Sequence, residues 1–226
     1  MDDADYDAER RRLVEHLRRR TDVSDRVLSA IAAVPRHEFV PEEDRGRAYA
    51  DRPLPIGHGQ TISAPHMVAV MTDLLEVATG DRVFEIGTGC GYHAAVVAEI
   101  VGDGNVYSVE YVPELADAAG ERLRRLGYDV TVRSGDGRTA FEDHTPFDAA
   151  YLTCAAPEGV PDGIAERVRE DGHVVAPVES GARANGLLGR AVGGRSGGSQ
   201  RLVRLTVRDD GVDREDHGAV RFVPMK

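Results

Sequence analysis

Apolar and polar residues alternate along the middle of the chain with a period that changes repeatedly. Five short apolar runs have the length and composition of buried strands. They lie at residues 82–86, 105–109, 129–133, 148–152 and 172–177. The stretches at about 91–101, 113–125 and 161–169 predict helices. Because buried strands alternate with helices, we predict an α/β fold, with a doubly wound, mostly parallel sheet flanked by helices.

Helices are also predicted before the first of these strands. Residues 7–20 indicate a surface helix, and Ser24 is expected to cap a second helix that ends before Pro35. Residues 51–63 are rich in proline and glycine, which predicts a loop. Ser63 then stands where a third helix is expected to begin, because Pro65 suits its first turn. The apolar face of this helix is predicted to hold Met67, Val70, Met71 and Leu74.

The last part of the chain departs from this rhythm. Residues 179–199 contain many glycines, serines and arginines and predict a flexible insert. Residues 200–208 and 219–223 alternate like antiparallel strands that close the sheet. We therefore expect one domain over 1–226. Its parts are helices and a substrate loop at 1–63, a cofactor-binding core at 64–178, the insert, and closing strands at 200–226.

Charge and cysteine content narrow the class of protein. The net charge of −11 argues against binding to nucleic-acid phosphates, which usually requires a basic surface. We find no apolar run long enough to span a membrane and no secretory signal. Cys90 and Cys154 are expected to be free thiols in a reducing cytosol. We predict a cytoplasmic protein, a monomer without membrane attachment, and the histidine spacing predicts no metal site.

The most informative motif follows the first predicted strand. Residues 83–92, Val-Phe-Glu-Ile-Gly-Thr-Gly-Cys-Gly-Tyr, place alternating glycines at Gly87, Gly89 and Gly91 after an acidic residue. This pattern predicts a tight turn between a strand and a helix, where backbone approaches a ligand without an intervening Cβ. The spacing G-x-G-x-G differs from the G-x-G-x-x-G of dinucleotide sites. The motif therefore favours S-adenosylmethionine as the ligand.

Acidic residues at strand ends support a nucleoside ligand. Glu110 ends the second strand, where a carboxylate accepts hydrogen bonds from ribose hydroxyls. Asp136 follows the third strand and is predicted to accept from the adenine amino group. Glu85 either orients the glycine turn or contacts the amino acid end of the ligand. A surface glutamate and a plain turn aspartate are the simpler interpretations of Glu110 and Asp136.

Three segments resemble the protein-L-isoaspartate O-methyltransferase family. They are Val34-Pro-Arg-His-Glu-Phe-Val-Pro41, Asp51-Arg-Pro-Leu-Pro-Ile-Gly-His-Gly-Gln-Thr-Ile-Ser-Ala-Pro-His66 and Glu85-Ile-Gly-Thr-Gly-Cys-Gly-Tyr92. The resemblance implies a Rossmann-like class I methyltransferase fold with antiparallel C-terminal strands. It also implies a repair activity, in which S-adenosylmethionine methylates the free α-carboxylate of isoaspartyl residues in damaged proteins and peptides. The resulting ester collapses to a succinimide.

The same resemblance assigns residues to the site. Ser63 matches the position counted as the active site. The positions that match cofactor contacts are Ile62, Ala64, His66, Glu85, Gly87, Thr88, Gly89, Gly91, Glu110, Asp136 and Gly137. Substrate contacts are expected from Gln60, Thr61, Thr153, Cys154 and Ala155. Many relatives continue past the segment that matches Phe222–Pro224, so the sequence leaves open whether this tail contacts the cofactor.

Other functions are weighed against this one. Methylation of a nucleic-acid base amine usually requires Asn/Asp-Pro-Pro-aromatic after the fourth strand, whereas Thr153-Cys-Ala-Ala-Pro157 occupies that place. A small-molecule carboxyl methyltransferase remains open, because the preference for a peptide rests on the resemblance. A non-catalytic module that binds isoaspartyl ends and recruits a partner also remains open.

Overall fold

The computed structural model describes residues 3–179 and 199–226, in which helices and strands alternate. The α-helices are α1 (Asp3–Arg20), α2 (Asp25–Ala33), α3 (Pro65–Leu74), α4 (Tyr92–Val101), α5 (Pro113–Arg125) and α6 (Asp162–Ala165). The strands are β1 (Leu54–Gly57), β2 (Gln60–Ile62), β3 (Val83–Ile86), β4 (Val106–Glu110), β5 (Val130–Ser134), β6 (Phe147–Leu152), β7 (Val168–Glu179), β8 (Gln200–Arg208) and β9 (Gly211–Val220).

The strands from β3 onward form a single sheet in the order β5-β4-β3-β6-β7-β8-β9. The pairs from β5 to β7 are parallel, and β8 and β9 add to the edge as antiparallel strands. This confirms the predicted α/β fold with closing antiparallel strands. The chain leaves β3 toward β4 and later returns to its other side at β6. The carboxyl end of β3 is therefore the switch point, where open α/β sheets bind their ligands.

Helix α4 lies deep in the molecule, directly after the glycine turn. Of its residues only Glu99 is exposed, and the rest are buried, including its alanines and valines. A helix that is apolar on all sides is stable only when it is covered on all sides. Here α4 packs in one core with Leu17 of α1, Ile31 of α2 and Met71 of α3. A second core, which contains Phe84, lies on the opposite face of the sheet.

The loop predicted at 51–63 is wrong in part, because it contains the hairpin β1-β2. Leu54 pairs with Ile62 and Pro55 with Thr61. The turn is made by Gly57, His58 and Gly59, all of which have positive φ. Strands of four and three residues are too short to produce a recognisable alternation. The hairpin leads directly to Ser63, which lies near the carboxyl end of β3.

Two predicted elements near the end of the chain have different bounds. The helix expected at 161–169 is reduced to α6, because β7 begins at Val168, whose side chain is buried against the second core. The strand expected at 219–223 is β9, which runs from 211 to 220. Most of its residues are exposed, and residues 213–216 are charged. Its apolar alternation is weak because it is an edge strand. β8 has the predicted bounds.

The helix starts were predicted with mixed success. Ser24 occupies the N-cap of α2, as expected, although its side chain makes no capping hydrogen bond. The prediction for Ser63 is wrong, since α3 begins at Pro65 and its N-cap is Ala64. The buried face of α3 is wider than predicted. Met71 is buried, and Met67, Val70 and Leu74 are partly buried against the same core, as expected; Val68, Ala69 and Thr72 are buried as well.

Among the described helices, none is both long enough and apolar enough to cross a membrane. The flexible insert predicted at 179–199 lies outside the described residues, except for residues 179 and 199.

We propose that the helices before β1 and the sheet unfold as one domain, which Leu17→Ala tests. Leu17 of α1 is fully buried in the core shared with α4. Its truncation is expected to lower the free energy of unfolding by about 2–5 kcal/mol. Urea denaturation followed by circular dichroism should show one transition shifted as a whole. The exposed control Arg11→Ala should leave the midpoint unchanged, and a separate early loss of helix in Leu17→Ala would contradict a single domain.

Candidate functional site

The glycine turn joins β3 to α4 through backbone that only glycine adopts easily. Gly87, Gly89 and Gly91 have φ values of 99°, 56° and 89°. At Gly87 space is limiting as well, because a Cβ there would lie 2.3 Å from Thr153 Oγ1. Thr153 donates a hydrogen bond of 2.5 Å to the Gly87 carbonyl oxygen. The turn is thus pressed against the end of β6, and its backbone lines a pocket.

Glu110 lines this pocket at the end of β4, as its position in the sequence predicts. Its carboxylate accepts one hydrogen bond from the Gly89 N–H at 2.8 Å and another from the Val112 N–H at 3.0 Å. These bonds hold the glycine turn and the start of α5 in place. A carboxylate has about four acceptor positions, so capacity for ribose hydroxyls remains.

Glu85 lies beneath the turn, fully buried, and does not line the pocket. The hydroxyls of Ser108 and Tyr151 both donate to its carboxylate, the latter at 2.9 Å. Because Ser108 uses its proton in this way, Thr88 donates to Ser108 across 2.5 Å. Burial raises the pKa of Glu85 to about 7, and the nearby Glu110 adds to the shift. This chain of hydrogen bonds ties Thr88 of the glycine turn to the sheet.

Asp136 follows β5 as predicted, but its carboxylate faces Arg138. It accepts from the Arg138 backbone N–H at 2.9 Å and from the guanidinium at 3.3 Å, and it does not line the pocket. Gly135 and Gly137 on either side do line it. A Cβ at Gly137 would lie 2.5 Å from the Ile86 side chain. The pocket wall after β5 is therefore made of backbone.

The hairpin forms the opposite wall of the pocket. Gln60, Thr61, Ile62 and Ser63 all line it, which brings the predicted active-site residue within the same cavity as the glycine turn. Ala64 and His66 do not line it. Ser63 is partly exposed, two residues before the first residue of α3.

Asp51 organises the start of α3, a role that the sequence did not indicate. One of its carboxylate oxygens accepts from the His66 backbone N–H at 2.9 Å and contacts His66 Nδ1 at 2.8 Å. Its other oxygen lies 3.5 Å from His16 Nε2 of α1. Burial alone would raise the pKa of Asp51, but the hydrogen bonds from His66 and the charge of Arg20 outweigh it and lower that pKa. The acidic cap of α3 is thus remote in sequence, where a local pattern such as serine before a helix cannot reveal it.

The end of β6 and the tail close the pocket. Thr153 and Cys154 line it, whereas Ala155 is fully buried and outside it. Ala155 instead holds the tail, since its N–H donates to the Val223 carbonyl oxygen and its own carbonyl accepts from Met225, both at 2.8 Å. As a result residues 223–226 line the pocket, a contact that the sequence left open.

Aromatic residues that the sequence analysis missed complete the site. Tyr92 and His93, the first residues of α4, line its interior, and the exposed ring of Tyr111 lines its mouth. Burial lowers the pKa of His93 to about 3, so the imidazole is neutral at pH 7. His93 Nε2 lies 3.0 Å from Thr72 Oγ1, while Nδ1 has no hydrogen-bond partner among the described residues. The position of Tyr92 and His93 directly after Gly91, and of Tyr111 directly after Glu110, was the available signal.

The pocket is open to solvent. Its lining combines Glu110 of β4 and the backbone of Gly135 and Gly137 after β5 with the hairpin residues that lead to Ser63. Burial also raises the pKa of Cys154 to about 12, which keeps its thiol protonated. Within the described residues, no three side chains of metal-binding type are grouped as a metal site.

Comparisons with known proteins give a consistent result. The family model for protein-L-isoaspartate(D-aspartate) O-methyltransferase matches residues 8–226. Protein-L-isoaspartate O-methyltransferase 2 of Archaeoglobus fulgidus is 47% identical over 226 residues, covering 98% of this chain and 94% of that protein. Protein-L-isoaspartate O-methyltransferase of Methanopyrus kandleri is 46% identical over 228 residues, covering 99% and 94%.

Solved structures agree at the level of the fold. A protein-L-isoaspartate O-methyltransferase superimposes with a TM-score of 0.82 at 26% identity, over 95% of this chain and 65% of that one. A Plasmodium falciparum protein described under the same name, solved in complex with S-adenosyl-L-homocysteine, has a TM-score of 0.77 at 24% identity. That match covers 96% of this chain and 98% of the other.

Glu85→Gln is expected to remove one source of pH dependence from the stability of the protein. The carboxyl titrates near 4.5 when unfolded and at about 7 when buried. Its contribution to stability is therefore fully present below pH 4.5 and is lost as the pH rises through 7. The loss is on the order of 3 kcal/mol.

Urea denaturation of the wild type and of Glu85→Gln, from about pH 4.5 to about pH 8, measures this difference. The variant should gain stability relative to the wild type as the pH rises. Glu121→Gln, at an exposed position of α5, is the matched control and should show no such trend. A stability difference for Glu85→Gln that does not change with pH would contradict the titration of this buried carboxyl.

Proposed function

The chain belongs to the protein-L-isoaspartate(D-aspartate) O-methyltransferase family, and we propose that its pocket brings a methyl donor and an isoaspartyl carboxylate together at Ser63. The enzyme transfers a methyl group from S-adenosylmethionine to isoaspartyl residues of damaged proteins, as its family does. The observation that carries the residue assignment is that the glycine turn, Glu110 and the Ser63 hairpin line one cavity.

The donor end of the pocket fits S-adenosylmethionine. At Gly87 and Gly137 a Cβ would meet Thr153 and Ile86, so backbone forms the walls where a flat ligand lies closest. We assign Glu110 to the ribose hydroxyls and the backbone around Gly135 and Gly137 to the adenine side. The tail residues 223–226 and Tyr111 would cover the donor from the solvent side. S-adenosylmethionine supplies an electrophilic methyl group bound to a positively charged sulfur.

The acceptor needs no general base from this chain. An α-carboxylate has a pKa of roughly 3.5 and is ionised at neutral pH. The neutral His93 and the protonated Cys154 thiol fit a site that moves no proton. What the residues contribute is orientation and exclusion of water. Orientation of reacting groups is worth up to about 7–11 kcal/mol in well-aligned systems.

Ser63 is the residue that we assign to aiming the carboxylate. Its hydroxyl is not required to cap α3, because Ala64 occupies the cap and Asp51 accepts the His66 N–H. The hydroxyl is therefore available to donate to one carboxylate oxygen, which leaves the other free to attack. Gln60, Thr61 and Ile62 stand beside it on the same wall and are assigned to the substrate.

The proposal extends to several properties of the enzyme in the cell. We propose a monomer that acts in the cytoplasm and does not bind nucleic acid. The net charge of −11 supports the last of these, since it opposes contact with phosphates.

Peptides that differ only in one linkage test the function. Purified protein is incubated with S-adenosylmethionine labelled in its methyl group and with paired peptides that contain either aspartate or isoaspartate. We expect label in the isoaspartyl peptide alone, because only that linkage presents a free α-carboxylate on a side arm. Binding without label would indicate a non-catalytic adaptor. Label in neither peptide, but in free carboxylic acids, would indicate a small-molecule methyltransferase.

Ser63→Ala is expected to lower kcat by roughly tenfold to a hundredfold, because the carboxylate loses its aiming hydrogen bond. The Kd for S-adenosylhomocysteine, measured by calorimetry, should stay within about threefold of the wild type. Ser24→Ala is a matched control, since Ser24 is exposed and makes no side-chain capping bond. An equal loss of turnover and of cofactor affinity, or an unfolded protein, would count against the aiming role.

A further inference from the structure

A buried arginine lies behind the hairpin that carries Ser63. Arg36 opens a short 3-10 helix, Arg36–Phe39, and none of its surface is exposed. Burial of a charged side chain is costly unless hydrogen bonds satisfy it. The position of Arg36 is therefore set by the groups that receive its hydrogen bonds.

Those groups are backbone carbonyl oxygens on either side of the hairpin β1-β2, whose last residues line the pocket with Ser63. Nε donates to the Ala48 carbonyl at 2.8 Å, and Nη2 donates to the Ser63 carbonyl at 2.9 Å. Nη2 also reaches the Arg52 carbonyl at 3.5 Å. Ala48 precedes the hairpin and Ser63 follows it, so one planar guanidinium clamps both ends of the substrate hairpin.

The same guanidinium also contacts an aromatic ring beside the glycine turn. Arg36 Cζ lies 4.7 Å from the centroid of the Tyr92 ring, at the start of α4 and directly after the glycine turn. Nη1 has no hydrogen-bond partner among the described residues. The guanidinium is thus located by carbonyl oxygens and one aromatic ring, and it connects the hairpin to the helix that follows the donor-binding turn.

We propose that Arg36 is a positioning residue for methyl transfer, which orients Ser63 by holding its backbone carbonyl oxygen. The peptide unit that follows Ser63 is planar, so fixing its oxygen also restricts rotation about the Ser63 Cα–C bond. Asp51 holds the His66 N–H at 2.9 Å on the other side. The short segment that contains Ser63 is therefore fixed at both ends, by Arg36 and Asp51, neither of which lines the pocket. This proposal rests on the catalytic role assigned to Ser63.

Arg36→Lys tests the proposal with the charge retained, and Arg36→Met tests it without the charge. A lysine ammonium cannot donate to both the Ala48 and Ser63 carbonyls with the geometry of the guanidinium fork. We expect kcat for the isoaspartyl peptide to fall about tenfold in Arg36→Lys, with KM little changed. In Arg36→Met, kcat should fall further. The Kd for S-adenosylhomocysteine should stay within about threefold of the wild type in Arg36→Lys.

The decisive measurement repeats Arg36→Lys in the Ser63→Ala background. If Arg36 acts through the Ser63 hydroxyl, its replacement should change kcat less than about twofold once that hydroxyl is gone. An equal fold-loss of kcat in both backgrounds would overturn the proposal, as would wild-type kcat in a folded Arg36→Lys variant. A general loss of stability cannot imitate the expected result. It would lower kcat in both backgrounds, because the Ser63 backbone carbonyl that Arg36 holds is present in both.

Arg26→Met is the matched control for removal of an arginine that binds a backbone carbonyl. Arg26 Nη1 donates to the Val77 carbonyl at 2.6 Å, and neither residue lines the pocket. It should leave kcat unchanged. Wild-type protein that fails to label the isoaspartyl peptide would refute the proposed function. Normal wild-type labelling with additive effects at positions 36 and 63 would refute only the role of Arg36.

Discussion

The close contact between Gly87 and Thr153 is the constraint on which the site depends. It brings the ends of the adjacent parallel strands β3 and β6 together at the switch point of the sheet. Any side chain at position 87 would occupy the place of the Thr153 hydroxyl, which hydrogen-bonds the Gly87 carbonyl. Because position 87 has no side chain, the glycine turn packs directly against the end of β6 and exposes its backbone to the pocket. Glu110 then holds the turn from the side through the Gly89 N–H.

A second layer of polar groups supports the turn from below. Thr88, Ser108, Glu85 and Tyr151 form a continuous series of hydrogen bonds inside the apolar sheet. Burial of such a series is tolerated because its members satisfy one another. Burial raises the pKa of Glu85 to about 7, because the ionised carboxylate is removed from water. The glycine turn is consequently held by hydrogen bonds to Thr153, Glu110 and Ser108. Such a turn suits a ligand that is bound mainly by shape and by backbone groups.

The hairpin β1-β2, which leads to Ser63, is held in a different way from the glycine turn. Leu54, Ile56 and Ile62 of this hairpin pack against the main core, and charged groups from other segments hold the residues on either side of it. Arg36 holds carbonyl oxygens before and after it, and Asp51 holds the first turn of α3. A reaction between a carboxylate and a sulfonium methyl requires placement of the reactants and no proton transfer. Anchoring of the hairpin is the form of catalytic support that we propose for this protein.

The sequence by itself determined the features that depend on local chemistry. The parallel sheet, the turn at Gly87–Gly91 and the place of Glu110 follow from strand periodicity and from the conformations that only glycine permits. The hairpin and the bounds of β9 did not follow, because short or edge strands carry a weak pattern. The cap of α3 did not follow because Asp51 is 15 residues away from His66, whose N–H donates to it. The contacts of Arg36 and Asp51, the orientation of Asp136 toward Arg138 and the seating of the tail on Ala155 were decided only by tertiary structure. Each of these depends on which groups a buried charge or a free backbone amide meets after folding, and sequence spacing does not encode that encounter.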